Sequence, residues 1–190
     1  STYFDGTGDY YNIASNTAFA FGTGNFTIEF WIYHTTAPDT NNRCVFNTNT
    51  NGFFLQMRNT AFGIGVPGVA ENNAFSYTFA GNTWYHIVYT LSNDNQVNCK
   101  IYINGNLNTS SLGASGKVLK SDSIGYLAVG YSGDQNRGYV GNIDDFRIYS
   151  KVLTQEEVNQ LYTDIKTTNS QGYGGTGGFV KSKLKTDDTY

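Results

Sequence analysis

The chain has 190 residues, 39% of them apolar, which is the length of one ordinary domain with enough apolar material for a core. Only 14% of residues are charged and the net charge is -3, which excludes the basic face of a nucleic-acid binder. No apolar run approaches the roughly 20 residues that cross a bilayer as a helix, and a composition of 22 Gly, 15 Tyr and 13 Phe with abundant Asn and Thr excludes a helical bundle and predicts an all-β domain.

Period-two alternation supplies the elements. Phe26 to Tyr33 sets Phe26, Ile28, Phe30 and Ile32 on one face and Thr27, Glu29, Trp31 and Tyr33 on the other, a strand with one face on a core. Asn51-Gly52 is a turn signal before Phe53-Phe54-Leu55, and a short run follows at Ile64 to Val66. Trp84 to Leu91 places Tyr85, Ile87, Tyr89 and Leu91 together, and Val97 to Ile103 alternates again into the hairpin signal Asn104-Gly105. Further strands are expected at Tyr126 to Val129 and Ile143 to Tyr149. Many short strands with turn chemistry between them predict a two-sheet antiparallel β-sandwich of jelly-roll type.

One short C-terminal helix is expected. Thr154-Gln155-Glu156-Glu157 is a capping box, and Val158, Leu161 and Tyr162 give the helix an apolar face. Residues 1–165 are thus read as the domain. Residues 166–190, with a Gly-rich stretch from Gln171 to Gly178 and then Lys181 to Lys185, are read as a flexible or partner-docking tail. The chain opens at Ser1 with neither an initiator Met nor an apolar leader, as expected of a processed protein or a piece of a longer one. Cys44 and Cys99 are too few for a disulfide framework, and are read either as two buried thiols or as a single bridge. Cys44 is expected to share a strand face with Phe46, and Cys99 with Ile101 and Ile103.

Taken in order, five segments resemble the concanavalin A-like lectin/glucanase superfamily, in its laminin G-like and pentraxin-like branch. They are Tyr3 to Tyr10, Phe26 to Tyr33, Trp84 to Tyr89, Lys100 to Gly105, and Gly138 to Tyr149 running into Val152 to Val158. The resemblance covers residues 3 to 162 and implies the jelly roll. It leaves function open, because such folds host lectins, glycosidases, adhesion modules and viral surface domains.

Catalysis is not expected. Glucanases of the superfamily carry carboxylates at alternate positions of one strand, and hydrolysis needs two carboxyl groups at defined separations. No two acids stand at i and i+2 in this chain. Glu29 is the one acid within a clear strand on its polar face, and it is read as a hydrogen-bond acceptor for a neighbouring strand. His34 and His86 have no metalloprotease spacing, and no Gly-x-Ser-x-Gly occurs.

For binding, the pentraxin-like resemblance implies calcium held by Asp39, Asn42, Asp134 and Gln135, where the alternative is ordinary Asn/Asp turns. Asp144, expected to share the inward face of Phe146 and Ile148, is read either as a hydrogen-bonded structural carboxylate or, with Asp5, as a structural ion site. Tyr131, Asp134, Gln135, Asn136, Arg137 and Tyr139 combine aromatic faces with planar polar groups, the mixture that suits a glycan; the alternative is that the tyrosines simply cover the sandwich. The expected role is a non-catalytic carbohydrate-binding module, extracellular or on a virion surface, of phage tail-fibre or decoration type. Its rival is a structural assembly protein whose tail docks on neighbouring subunits.

Overall fold

The computed structural model describes residues 1–13, 24–40, 43–47, 54–65, 73–92, 99–109, 127–129 and 137–170. Among them are two six-stranded sheets. The first runs β1 (Thr2–Asp5), β12 (Val140–Tyr149), β3 (Phe26–His34), β8 (Thr83–Leu91), β9 (Lys100–Ile103) and β10 (Asn106–Asn108). The second runs β2 (Tyr11–Ile13), β11 (Leu127–Val129), β4 (Arg43–Asn47), β5 (Phe54–Arg58), β6 (Ala61–Gly65) and β7 (Asn73–Ser76). All pairings are antiparallel. This is the expected all-β sandwich with one C-terminal helix, α1 (Gln155–Ser170).

Alternation explains the core. Ile28, Phe30 and Ile32 of β3 and Tyr85, Ile87 and Tyr89 of β8 face Phe46, Leu55, Phe62 and Ile64 of the other sheet, all buried. Asn104 and Gly105 both take positive φ (53° and 79°), the left-handed pair that a two-residue hairpin between β9 and β10 demands. Asn51-Gly52, and residues 97 and 98 of the expected Val97 to Ile103 run, lie outside the described residues.

The capping box forms as a reciprocal pair. Thr154 Oγ1 accepts from the Glu157 amide at 3.2 Å, and a Glu157 carboxylate oxygen accepts from the Thr154 amide at 2.9 Å. From there α1 lies on the outer face of the first sheet, where Val158 and Leu161 pack with Val88, Tyr102, Tyr149 and Leu153. The helix reaches Ser170, so residues 166–170, expected to open the tail, are helical. Residues 171–190 lie outside the described residues.

Two β-bulges correct the alternation drawn from sequence. In β4 the register shifts between Cys44 and Phe46, so these two do not share a pleat face as expected, although both are buried. In β12 it shifts between Asp144 and Arg147, where Asp145 takes φ 48°. Asp144 pairs with Trp31 of the outer face, whereas Ile148 pairs with Ile28 of the core and Phe146 stacks on Phe30 and Phe46. The one extra residue reverses the expected inward face of Asp144.

Candidate functional site

One end of the sandwich gathers the turn after β1, the segment after β3, the start of β4 and the lead into β12. Gly138 sits so close to the turn that a Cβ there would lie 2.4 Å from the Gly6 carbonyl oxygen. Arg43 bridges the same end, donating to the Gly138 carbonyl at 3.4 Å and gripping Asp39 through Nε (3.3 Å) and Nη2 (2.5 Å). Asp39 is the described member of the expected calcium set, and its carboxylate is held by a two-point guanidinium contact that a calcium ion there would have to displace. Asn42, Asp134 and Gln135 lie outside the described residues.

Of the expected glycan loop, Tyr131, Asp134, Gln135 and Asn136 also lie outside the described residues. Arg137 is exposed at the end of the sandwich. Tyr139 is a correction: it is 0% exposed, with its ring edge-on to Phe4 and its hydroxyl 3.3 Å from Nε2 of His34. This side chain lies in the core, out of reach of a ligand. His34 Nδ1 lies 3.0 Å from the Val140 carbonyl, which can only accept, so Nδ1 carries the proton and Nε2 accepts from Tyr139. Burial depresses the His34 pKa below its ordinary 6.5, against the opposing pull of the Val140 bond.

Asp5 and Asp144 do not meet. In the β1–β12 register Asp144 lies beyond Ile143, which pairs with Thr2, while Asp5 pairs with Val140. They are thus four residues apart along β1, about 13 Å, which rules out a shared ion. Asp5 accepts from the Thr7 amide at 2.7 Å, and Asp144 accepts from the Asp145 amide at 3.0 Å. The other Asp144 oxygen lies 3.2 Å from the Ser1 amine.

Glu29 is fully buried, under α1, and its two oxygens take three donors from two neighbouring strands. His86 Nε2 and Arg147 Nη1 each lie 3.1 Å from Oε1, and the Tyr149 hydroxyl lies 2.5 Å from Oε2. Arg147 also reaches Asp145 at 3.1 Å. Burial pushes the Glu29 carboxyl up, but the bonds from His86 and Tyr149 and the Arg147 charge outweigh it and hold the pKa below the usual 4.5. Trp31 and His86 lie beside this cluster, and the Tyr162 ring of α1 stacks on both, with centroids 5.9 Å from each. The expected role of Glu29, an acceptor for neighbouring strands, matches this arrangement.

Beyond the reach of Tyr162, the outer face carries one more row, which the sequence reading did not single out. Tyr3 pairs with Asn142, Asn142 with Tyr33, and Tyr33 with Trp84, so four adjacent strands contribute one residue each. Directly paired residues share a face. Tyr3 is 55% exposed, and Asn142, Tyr33 and Trp84 are half-buried. The Tyr33 and Trp84 rings lie 5.2 Å apart at 37°, and the Tyr33 hydroxyl donates to Asn82 Oδ1 at 3.3 Å. The outward side of Tyr33 was legible from alternation; its neighbours come from register, which has no local signal.

Residues 5–159 match the family model of the concanavalin A-like lectin/glucanases superfamily. Botulinum neurotoxin type E of Clostridium botulinum is 30% identical over 166 residues, 76% of this chain and 12% of the toxin. Adhesion G-protein coupled receptor D1 of Homo sapiens is 33% identical over 91 residues, 46% of this chain and 10% of the receptor. The chain therefore spans only a small part of the length of these relatives. Among solved structures, the native heptameric SAP-like pentraxin from Limulus polyphemus has a TM-score of 0.63 at 17% identity, covering 84% of this chain and 80% of that one. The receptor binding domain of botulinum neurotoxin D has a TM-score of 0.63 at 20% identity, covering 85% of this chain and 43% of that one. With this match over most of its length, and with the lectin-like sandwich it folds into, the chain belongs to the concanavalin A-like lectin/glucanases superfamily.

Proposed function

We propose that this chain is a non-catalytic carbohydrate-recognition module, carried on an extracellular or virion surface, of tail-fibre or decoration type. The observation that carries the reading is the state of Glu29. A strand carboxylate could serve glycoside hydrolysis only if it reached the glycosidic oxygen with a second carboxyl in range. Glu29 is 0% exposed and both its oxygens are engaged. Asp144 lies on the outer face at the bulge, with one oxygen on the Asp145 amide and the other beside the Ser1 amine. What remains for function is recognition, as in the receptor binding domain of neurotoxin D. Carbohydrate is the ligand class that suits a surface rich in Tyr and Asn with few charges.

Calcium enters the reading only through the loop set of Asp39, Asn42, Asp134 and Gln135, and binding there requires Arg43 to release Asp39. Neighbouring subunits enter through the expected tail, residues 166–190, as a segment that docks on them.

A glycan array probed with the purified chain, in parallel with calcium and with chelator, tests the proposal. Binding that survives chelation is the expected result. Binding abolished by chelation would restore the metal at the Asp39 loop, and silence in both conditions would overturn the carbohydrate reading in favour of the assembly protein. Loss of oligomers on deleting residues 171–190 would locate the subunit contact in the tail.

A further inference from the structure

Helix α1 covers the outer face of the first sheet row by row, and the cover given by its described side chains stops one row short of the end. Leu161 and Val158 pack over the row of Val88 and Tyr102. Tyr162 covers the next, Trp31 and His86. The following row, Tyr3–Asn142–Tyr33–Trp84, keeps exposed or half-exposed side chains on four neighbouring strands. Three strand spacings make it about 14 Å long.

We infer that this row is a saccharide-binding platform, in which Tyr33 and Trp84 stack against the C–H face of a pyranose ring while Asn142 and Asn82 bond its hydroxyls. The inference rests on the carbohydrate reading above and names the site on which the sugar lies. Its chemistry is particular to a sugar. A pyranose presents an apolar face of C–H bonds and a rim of hydroxyls that both donate and accept. Aromatic faces complement the first, and primary amides, which also donate and accept, complement the second.

The charge around the row fits a neutral ligand. The row itself holds two tyrosines, an asparagine and a tryptophan, and the flanking positions on the same face of β1 and β12 are Ser1, Asp5, Val140 and Asp144. No charged side chain stands in the row to meet a phosphate or sulfate, the Ser1 amine beside it is matched by Asp144, and the Asp5 carboxylate repels an anionic sugar while accepting from hydroxyls. The length of the row suits a short oligosaccharide better than a single ring. The platform is also pre-formed. Tyr33 is tied to Asn82 and leans on Trp84, so little side-chain freedom remains to be lost on binding.

The chain contains two tryptophans, and their settings differ enough to make a test. Trp31 is 8% exposed beneath Tyr162, whereas Trp84 is half-buried on the platform. The probes are neutral cello-, malto-, xylo-, manno- and galacto-oligosaccharides together with sialylated and sulfated glycans on one array, followed by titration of the strongest array hit against tryptophan emission. The expected result is a hit among the neutral sugars and a saturable change in emission that Trp84→Phe removes. Trp84→Ala and Tyr33→Ala are each expected to weaken binding at least tenfold, with a melting temperature within a few degrees of the parent. Arg58→Ala, on β5 of the second sheet, is expected to bind as the parent does. If Trp84→Ala fails to fold, Tyr3→Ala and Asn142→Ala at the exposed end carry the same test.

An array positive for sugars on which the Trp84, Tyr33 and Asn142 variants all bind as the parent overturns the platform and leaves the carbohydrate reading standing. Preference for sialylated or sulfated sugars also overturns it. An array silent for every glycan removes both, and self-association of the chain that Trp84→Ala abolishes would assign the row to a copy of the chain instead.

Discussion

The hydroxyl of Tyr149 donates to Oε2 of Glu29 at 2.5 Å, tying β12 to the centre of the first sheet directly beneath α1. With His86 and Arg147 on the other oxygen, Glu29 is a buried anion whose stability depends on its donors. Glu29→Gln keeps the shape but removes the charge, leaving Arg147 half-paired. The expected cost is on the order of 3 kcal/mol, and Tyr149→Phe is expected to cost about 2 kcal/mol for one bond to a charged group. The folded-state pKa of Glu29 is depressed below 4.5. Its stabilisation is therefore present in full above about pH 4.5 and is lost as pH falls through the depressed value. Urea unfolding of parent and Glu29→Gln at pH 7 and pH 3.5 checks this: the gap between them should narrow at the lower pH, and a gap that widens would contradict the sign.

His34 carries a linkage of the same sign at a higher pH. Burial keeps it neutral in the fold, with Nδ1–H on the Val140 carbonyl and Nε2 on the Tyr139 hydroxyl. The unfolded chain takes up a proton near pH 6.5 while the folded one does not, so stability falls as pH drops from about 6.5 toward the depressed value. The slope from one such group is at most about 1.4 kcal/mol per pH unit. His34→Asn, whose amide N–H can stand where Nδ1–H stood, is expected to flatten the stability profile between pH 7.5 and pH 5.5. An unchanged slope would mean that His34 titrates alike in both states.

The same side chains indicate what could be read in advance. Glu29, Trp31 and Tyr33 on one face of β3 and the capping box at Thr154 are local patterns, set by a period of two and by a three-residue spacing, and both were legible. What each faces was not. The donors to Glu29 come from β8 and β12, and no local rule states that Arg147 stands opposite Glu29. The bulge at Asp145 inserts one residue with positive φ, and with it every inference of facing across Asp144 changes sign. Tyr139 misled for a related reason: it looks like a loop aromatic, yet it enters the core between Phe4 and His34. The platform row was invisible because Tyr3, Asn142, Tyr33 and Trp84 become neighbours only through long-range register.

Two glycines separate space from backbone strain. Gly141 takes φ 135°, and a Cβ there would lie 2.4 Å from the Tyr33 carbonyl oxygen and 3.0 Å from His34 Nδ1. Gly8 takes φ 82° with nothing within 4 Å of the added atom. Gly141→Ala must move the backbone of β3 as well as adopt a disfavoured φ, an expected cost on the order of 4 kcal/mol. Gly8→Ala bears the φ cost alone, about 1 kcal/mol. Thermal melts of the two variants should differ by several degrees, and equal melting temperatures would show that the β12–β3 approach is looser than its geometry.

The cysteines give the last prediction. Both are buried thiols, Cys44 at 2% and Cys99 at 8% exposure; Cys44 lies in β4 of the second sheet and Cys99 immediately precedes β9 of the first. Burial pushes the Cys44 thiol up to about 12, so almost none of it is thiolate at neutral pH. The Tyr89 hydroxyl donates to Cys99 Sγ within the core. A thiol reagent needs both access and the thiolate, and here access is closed at both positions and the thiolate at Cys44. Dithionitrobenzoate at pH 8 is therefore expected to leave the native chain unlabelled over minutes and to count two thiols per chain in guanidinium without reductant. Rapid native labelling would mean that a sheet edge opens readily. Zero thiols in guanidinium would mean a bridge, which requires the two sheets to approach at these positions more closely than two separate buried thiols do.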